Sequence, residues 1–113
     1  MARKNKLLES PPFPVERAVS QLGDNLRVAR VRRNMTIAEV AERIGTGPRA
    51  VMDAEKGKPS TSIAVYSALL WLYDQLAPLE NLCDPSTDLE GLSLESANRR
   101  VRASKVRVLD NDF

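Results

Sequence analysis

Apolar residues recur every three or four positions through most of the segment between residues 15 and 83, and this spacing predicts helices. The first predicted helix extends from Val15 to about Arg33, and Asn34 is expected to end it. Its inward face is expected to consist of Ala18, Leu22, Leu26 and Ala29. Arginines occupy much of the remaining surface, so this helix is predicted to be amphipathic.

A second, short helix is predicted over Ile37–Ile44. Thr36 precedes the apolar run, and Glu39 lies three residues after Thr36, which is the spacing of a capping box at a helix start. Gly45 comes directly after the run, where a helix end favours a residue that tolerates positive φ. Both ends of this helix are therefore marked in the sequence.

Three further helices are predicted from the same periodicity. The third spans about 47–56, with Pro48 in its first turn, where a missing N–H is harmless. Its expected inward residues are Val51 and Ala54. The fourth follows a cap at Ser60, Thr61 or Ser62, and its apolar residues are Ile63, Tyr66, Leu69, Leu70 and Tyr73. The fifth opens at Pro78 and closes at 84–85, with Leu79, Leu82 and Cys83 as its apolar residues.

The two ends of the chain do not show this pattern. Residues 1–14 contain three prolines and few apolar residues, so they are predicted to form a flexible basic arm. Residues 85–113 are predicted to form an extended, partner-binding tail, in which the alternation over 105–109 is typical of a short strand. The predicted fold is all-α, with a five-helix domain over residues 15–84 between the arm and the tail.

The composition bounds the chemistry of this 113-residue chain. It has no histidine and one cysteine, which argues against Ser-His and Cys-His catalysis and against CxxC or histidine metal sites. We therefore expect no enzyme activity, catalytic residue, cofactor or metal. No apolar run approaches the length of about 20 residues that spans a bilayer, and the start lacks the apolar stretch of a signal peptide. The expected location is the cytoplasm, with Cys83 as a buried apolar thiol.

The net charge of +2 conceals a segregated distribution of charged residues. Residues 1–33 contain eight basic and three acidic residues, whereas residues 34–59 contain four of each. Residues 60–95 contain six acidic residues and no lysine or arginine, and residues 96–113 contain five basic and two acidic residues. Such segregation indicates separate surfaces for different partners, with chance clustering in a small protein as the alternative.

Small, glycine and apolar residues occur around the second and third predicted helices in the order of a helix-turn-helix. Ala41 is small where the two helices approach, and Gly45 lies in the turn. Residues 22–72 resemble the DNA-binding domain of the Cro and lambda-repressor class, the XRE family. The resemblance is carried by L22-G-D-N-L-R-V-A-R-V-R, M35-T-I-A-E-V-A-E-R-I-G and V51-M-D-A-E-K-G-K-P-S.

The resemblance implies that the third predicted helix lies in the major groove of DNA with its first residues over base edges. The base-reading positions that it implies are Gly47, Pro48, Arg49, Ala50 and Asp53. Arg49 is the foremost candidate, because a guanidinium pairs in bidentate fashion with guanine O6 and N7. Asp53 could accept from cytosine N4, and an ion pair with Arg49 is the alternative. The implied phosphate contacts are Thr36, Ile37, Lys56 and Lys58.

The sequence departs from the family pattern at two places. Ile37 stands where many members have glutamine, so only its backbone amide can reach a phosphate. Gly47 and Pro48 offer no polar side chain, so specificity is expected to depend partly on DNA shape. Arg30 and Glu55 match a pair that joins two helices in relatives, and they are predicted to be a structural ion pair.

Domains of this kind pair across a two-fold axis onto palindromic operators, and a homodimer through the fifth helix and the end of the fourth is predicted. A second resemblance is carried by D84-P-S-T-D-L-E-G-L-S-L-E and R99-R-V-R, which are similar to HipB-like antitoxins. It implies a repressor of its own operon that also neutralises a HipA-type Ser/Thr kinase toxin. Two alternatives remain open: a stand-alone or phage-type XRE regulator, and a protein-interaction module that has lost DNA binding.

Overall fold

A computed structural model describes the backbone of residues 5–111 and the side chains of residues 5–106. Within that range the chain forms seven α-helices and no strand. They are α1 (Lys6–Glu9), α2 (Phe13–Arg32), α3 (Ile37–Ile44), α4 (Pro48–Glu55), α5 (Ile63–Leu72), α6 (Ala77–Glu80) and α7 (Leu89–Asn111). The chain divides into two compact units, Met1–Ala77 and Pro78–Phe113. The all-α class is confirmed, whereas the predicted number of five helices is wrong because both ends of the chain contain helix.

Prolines and a left-handed asparagine define the ends of α2. Pro12 is the N-cap residue, and Pro14 lies in the first turn, where no helical hydrogen bond is lost. At the other end the N–H of Arg33 donates to the carbonyl of Arg30 at 3.1 Å. Asn34 then adopts φ 56, a conformation that asparagine tolerates better than most residues. The helix therefore ends where the sequence predicts and begins two residues before the predicted start.

The core of the first unit is formed by the inward faces of α2 to α5. Its buried apolar side chains, all at most 4% exposed, are Leu26, Val40, Ala41, Val51, Ala54, Tyr66, Leu69 and Tyr73. Val51 and Ala54 are thus inward, as predicted. Ala18 is exposed, and its neighbour Val19 packs against the core instead. The predicted inward face of α2 was wrong at this position, because Val19, three residues before Leu22, lies on the inward face of the regular helix, whereas Ala18 lies at its edge.

Two glycines allow α2 to approach the end of α4 closely. A Cβ built on Gly23 would lie 2.6 Å from the nitrogen of Gly57 and 2.7 Å from the carbonyl oxygen of Ala54. A Cβ on Gly57, which has φ 68, would lie 2.5 Å from the Cα of Ser20. Real Cβ atoms essentially never come this close to other atoms. The backbones of α2 and of the turn after α4 therefore touch without side chains between them.

The predicted flexible arm is partly helical. The Asn5 side chain accepts hydrogen bonds from the backbone of Leu7 and Leu8, at 3.0 and 3.4 Å, and thereby caps α1. Phe13 and Pro14 already belong to α2. The arm predicted for residues 1–14 is therefore corrected at 6–9 and 13–14, and residues 1–4 lie outside the described residues.

The second unit contains α7 and all of α6 except its first residue, Ala77. The helix predicted from Pro78 onward stops at Glu80, because the following residues form turns and Cys83 adopts φ 57. Cys83 is exposed, so the prediction of a buried thiol is wrong. That prediction rested on composition alone, which does not report the local turn.

Residues 105–109, predicted as a short strand, lie inside α7. The carboxylate of Asp88 accepts from the N–H of Gly91 at 2.9 Å at the start of this helix. A strand needs a pairing partner, and alternation over five residues is a weak signal beside helix-favouring arginine, lysine and alanine.

The described part of α7 exposes large apolar side chains, namely Leu89, Leu92, Leu94, Val101 and Val106. Neither α7 nor any other helix among the described residues is long and apolar enough to cross a membrane.

Candidate nucleic-acid interface

Two eight-residue helices, α3 and α4, are joined by a three-residue turn over 45–47. Gly45 has φ 81, and its N–H donates to the carbonyl of Ala41 at 3.0 Å. The N–H of Thr46 donates to the same carbonyl at 2.9 Å, which closes α3. Gly47 is the N-cap of α4 and Pro48 is its first residue. The sequence therefore specifies a sharp stop, a short turn and an immediate restart.

The first turn of α4 carries most of the residues predicted to read bases. Gly47, Pro48 and Arg49 are exposed, and Ala50 is half-buried. The Arg49 side chain is 75% exposed, so its guanidinium is accessible to a ligand. Glycine, proline and alanine side chains carry no hydrogen-bonding group, so Arg49 is the first side chain of α4 that can donate to a base.

Asp53 lies one turn after Arg49 and contacts two cations. Its Oδ1 atom is 3.6 Å from Arg49 Nε and 3.2 Å from Lys58 Nζ. The N–H of Lys58 also donates to the backbone carbonyl of Asp53 at 3.1 Å. The ion pair with Arg49 that the sequence offered as an alternative is therefore present. Lys58 is a second partner, which helical spacing does not reveal because it lies beyond the helix end.

The loop after α4 places Lys56 and Lys58 at the end of the same helix. Lys56 is exposed and is the C-cap of α4. Lys58 is held by its backbone, because the buried Tyr66 hydroxyl donates to its carbonyl at 2.8 Å. Burial raises the pKa of Tyr66, so this hydroxyl keeps its proton at neutral pH. Lys56 thus lies at the end of α4, whereas the ammonium of Lys58 contacts Asp53, the residue that also contacts Arg49.

Of the two predicted phosphate contacts at the start of α3, the Thr36 side chain is already engaged within the helix. The Thr36 hydroxyl accepts from the N–H of Glu39 and donates to the Glu39 carboxylate, both at 3.1 Å. A hydroxyl has a single proton, so Thr36 must release Glu39 in order to donate to a phosphate. Ile37 is half-buried and packs against the core, which leaves its backbone amide as its polar group at the surface.

Arg30 and Glu55, predicted as a structural pair, lie in a bidentate ion pair between α2 and α4. Arg30 Nε donates to Glu55 Oε2 at 2.7 Å and Nη2 donates to Oε1 at 3.0 Å. Nη1 donates to the carbonyl of Met35 at 3.0 Å. The side chains are only 13% and 7% exposed, and the hydrogen bond to Glu55 raises the pKa of Arg30. This pair fixes α4 and the loop before α3 to the same helix.

A second arginine joins α2 to the end of α5. Arg33 Nη1 donates to the carbonyl of Ala29 at 2.9 Å, and Nη2 donates to that of Tyr73 at 3.2 Å. Its guanidinium also lies 5.2 Å from the centre of the Tyr73 ring. Burial raises the pKa of Tyr73. Arg30 of α2 and Arg33, which caps the end of α2, therefore hold the helices around the two-helix motif in place.

Two short helices with a glycine turn, the second beginning with an exposed arginine, define a helix-turn-helix, the recognition element of DNA-binding regulators. A family model described as a helix-turn-helix domain matches residues 21–83, more than half of the chain. The chain therefore belongs to this helix-turn-helix family. Comparisons with curated proteins and with solved structures gave no match.

Sequence reasoning missed three contributors to this surface. The ion pair between Lys58 and Asp53 depends on the fold of the loop after α4. The hydrogen bond from Tyr66 to that loop joins segments that periodicity treats separately. Gly23 carried a signal, since a glycine within a predicted helix and away from its ends marks a close approach of another segment.

Proposed function

We propose that this protein is a cytoplasmic, sequence-specific DNA-binding repressor that binds a palindromic operator as a homodimer. The observation that carries the proposal is the exposed Arg49 at the start of the second helix of a helix-turn-helix. A guanidinium there suits the O6 and N7 atoms of guanine in the major groove. Lys56 at the end of α4 and Lys58 in the loop after it suit the phosphates, together with backbone amides at the start of α3.

The charge balance of the helix-turn-helix favours DNA binding that depends on a few specific contacts. Residues 34–59, which contain the whole helix-turn-helix, hold equal numbers of basic and acidic residues. General attraction to the phosphate backbone is therefore modest for this segment. Arg49 is the main donor toward bases, and with no side-chain donor at Gly47 or Pro48 we infer that DNA shape supplies further specificity.

The homodimer is supported by apolar surface on α5. Ile63 and Trp71 of this helix are 68% and 62% exposed. These two side chains provide apolar surface on one helix that a second copy of the chain could cover. A two-fold pair of domains would also double the short DNA segment that one recognition helix can read.

The test begins with selection of binding sites from a random duplex library by the wild-type protein. Fluorescence anisotropy then measures affinity for the selected site and its single-base variants at several salt concentrations. Arg49→Ala is expected to relax specificity at one base pair by about 1–3 kcal/mol. Lys56→Ala, the matched control, is expected to weaken all sequences equally and to reduce the salt slope by about 1. If no duplex binds at about 50 mM salt, the proposal fails in favour of a protein-interaction module.

We also propose a finer role as the antitoxin of a type II toxin-antitoxin pair with a kinase-type toxin. Its support is the similarity of residues 84–95 and 99–102 to HipB-like antitoxins. The exposed apolar side chains of α7 add surface that a protein partner could cover. The test is co-expression with the product of the neighbouring gene, which should co-purify and lose kinase activity. Full operator binding without any partner, and no complex, would favour a stand-alone regulator.

A further inference from the structure

We propose that Asp53 is a positioning residue that orients Arg49 for base reading and restrains Lys58, so that it determines how well operator is distinguished from other DNA. The inference rests on the proposed function and concerns the same surface. In this proposal Asp53 does not contact a base itself. It influences DNA binding through its contacts with Arg49 and Lys58.

The geometry around Arg49 is suited to this role. The closest approach between the two charged groups is 3.6 Å, from Asp53 Oδ1 to Arg49 Nε, and among the described residues no hydrogen bond engages the terminal guanidinium nitrogens of Arg49. Bidentate pairing with guanine requires two parallel N–H donors, and the terminal nitrogens remain for that purpose. The carboxylate therefore limits rotation of a side chain that is otherwise 75% exposed, without occupying the donors that a base needs.

Lys58 is tied to the same carboxylate. Its Nζ lies 3.2 Å from Asp53 Oδ1, and its N–H donates to the Asp53 carbonyl at 3.1 Å. The Asp53 side chain is 24% exposed, and Oδ1 itself is buried without a well-aligned hydrogen bond among the described residues. One buried oxygen thus faces both cations, and its position is set by the helix and not by solvent.

A carboxylate beside DNA has two separable effects. Its negative charge lowers affinity for every duplex, because phosphates repel it and because it competes with them for Lys58. Its contact with Arg49 raises affinity only for DNA that carries a suitable base, because Arg49 then binds that base without first losing its conformational freedom. The first effect changes all affinities alike, and the second changes the ratio between operator and other DNA.

The test compares the full-length wild type with Asp53→Asn on two duplexes. One duplex carries the site selected by the wild type, and the other is a scrambled duplex of the same composition. Asp53→Asn is expected to bind the scrambled duplex about 1.4- to 5-fold more tightly, the value of one exposed ion pair. The ratio of operator to scrambled affinity is expected to fall about 2- to 12-fold, the usual cost of fixing one long side chain.

Four further variants isolate the cause. Asp74→Asn makes the same change at an exposed residue outside α3 and α4, where φ 57 suits asparagine, and should leave the ratio unchanged. In an Arg49→Ala background, Asp53→Asn should no longer lower the ratio. In a Lys58→Ala background it should lower the ratio but raise scrambled affinity less. Asp53→Glu, which keeps the charge, should restore part of the ratio.

The outcomes are distinguishable. An operator-to-scrambled ratio that Asp53→Asn leaves within twofold of the wild type, in protein whose melting curve is unchanged, overturns the inference. A fall in the ratio that persists in the Arg49→Ala background also overturns it, since Asp53 would then read a base itself. If the wild type selects no site at all, the proposed function fails before Asp53 is tested.

Discussion

The close approach at Gly23 predicts that adding one methyl group there destabilises the first unit. In Gly23→Ala the new Cβ would lie 2.6, 2.7 and 2.8 Å from three backbone atoms of residues 54–57. Ordinary van der Waals contact begins at 3.4 Å, so α2 and the end of α4 must separate by more than half an ångström. Backbone atoms cannot rotate away as a side chain does, which places the cost near the upper end of the usual 1–3 kcal/mol for overpacking.

A gain in helix propensity of about 1 kcal/mol for alanine offsets part of this cost. We therefore expect Gly23→Ala to lower the free energy of unfolding by about 2 kcal/mol. For a unit of this size, that corresponds to a fall in melting temperature of about 10 °C. The assay is thermal and urea unfolding followed by circular dichroism at 222 nm.

Gly47→Ser is the matched control, because a Cβ at Gly47 meets nothing within 4 Å. Serine is also a slightly better N-cap than glycine, so this variant should be as stable as the wild type or more stable by a few tenths of a kcal/mol. If Gly23→Ala melts at or above the wild-type temperature, the helix propensity of alanine outweighs the overlap and the reasoning from backbone contact is refuted.

Three other predictions concern buried polar groups. Glu55→Ala should lower the free energy of unfolding by about 3 kcal/mol, because it leaves the charge of Arg30 unpaired. Replacing both Arg30 and Glu55 by Met should lower it much less. Equal losses for the two variants in urea unfolding would contradict this prediction. Tyr66→Phe should lower the free energy of unfolding by about 1 kcal/mol, because it removes the hydrogen bond to the Lys58 carbonyl. Tyr73→Phe should leave it unchanged, because the Tyr73 hydroxyl has no hydrogen-bond partner among the described residues. Equal losses for the two variants would contradict this prediction. Because burial raises the pKa of both tyrosines, the native state holds their protons more tightly than the unfolded state does. The contribution of these two tyrosines to stability should therefore be constant below about pH 10 and be lost above it. Urea unfolding should show a decrease in stability between about pH 8 and pH 11, and no decrease over this range would disprove the assignment.

The helix-turn-helix was predictable because its signals are local. Thr36, Gly45 and Pro48 each act on the backbone within one turn of their own position, through a cap, a positive φ or a fixed φ. The bounds of α3 and α4 therefore match the sequence prediction closely. Which residues of α4 touch DNA stays a prediction, since it depends on a partner and not on the chain alone.

The errors arose where structure depends on distant residues or on weak local patterns. Five alternating residues near the end of the chain were interpreted as a strand, although no second strand was predicted to pair with them, and they lie in α7. The contact of Asp53 with Lys58 depends on a loop whose path is held by Tyr66. No periodicity in the sequence encodes such a contact, because its partners are brought together only by tertiary packing.

Cys83 provides a single site at which a spectroscopic label can report how many chains assemble together. It is the single cysteine of the chain, it is exposed, and it lies in a turn of the second unit with φ 57. A nitroxide or a fluorophore coupled to its thiol therefore labels each chain once, without any prior mutation. Two labelled chains held in one assembly yield a single label-to-label distance, whereas a lone chain yields none. The same labelled sample, read with and without operator DNA, would count the chains on the DNA directly.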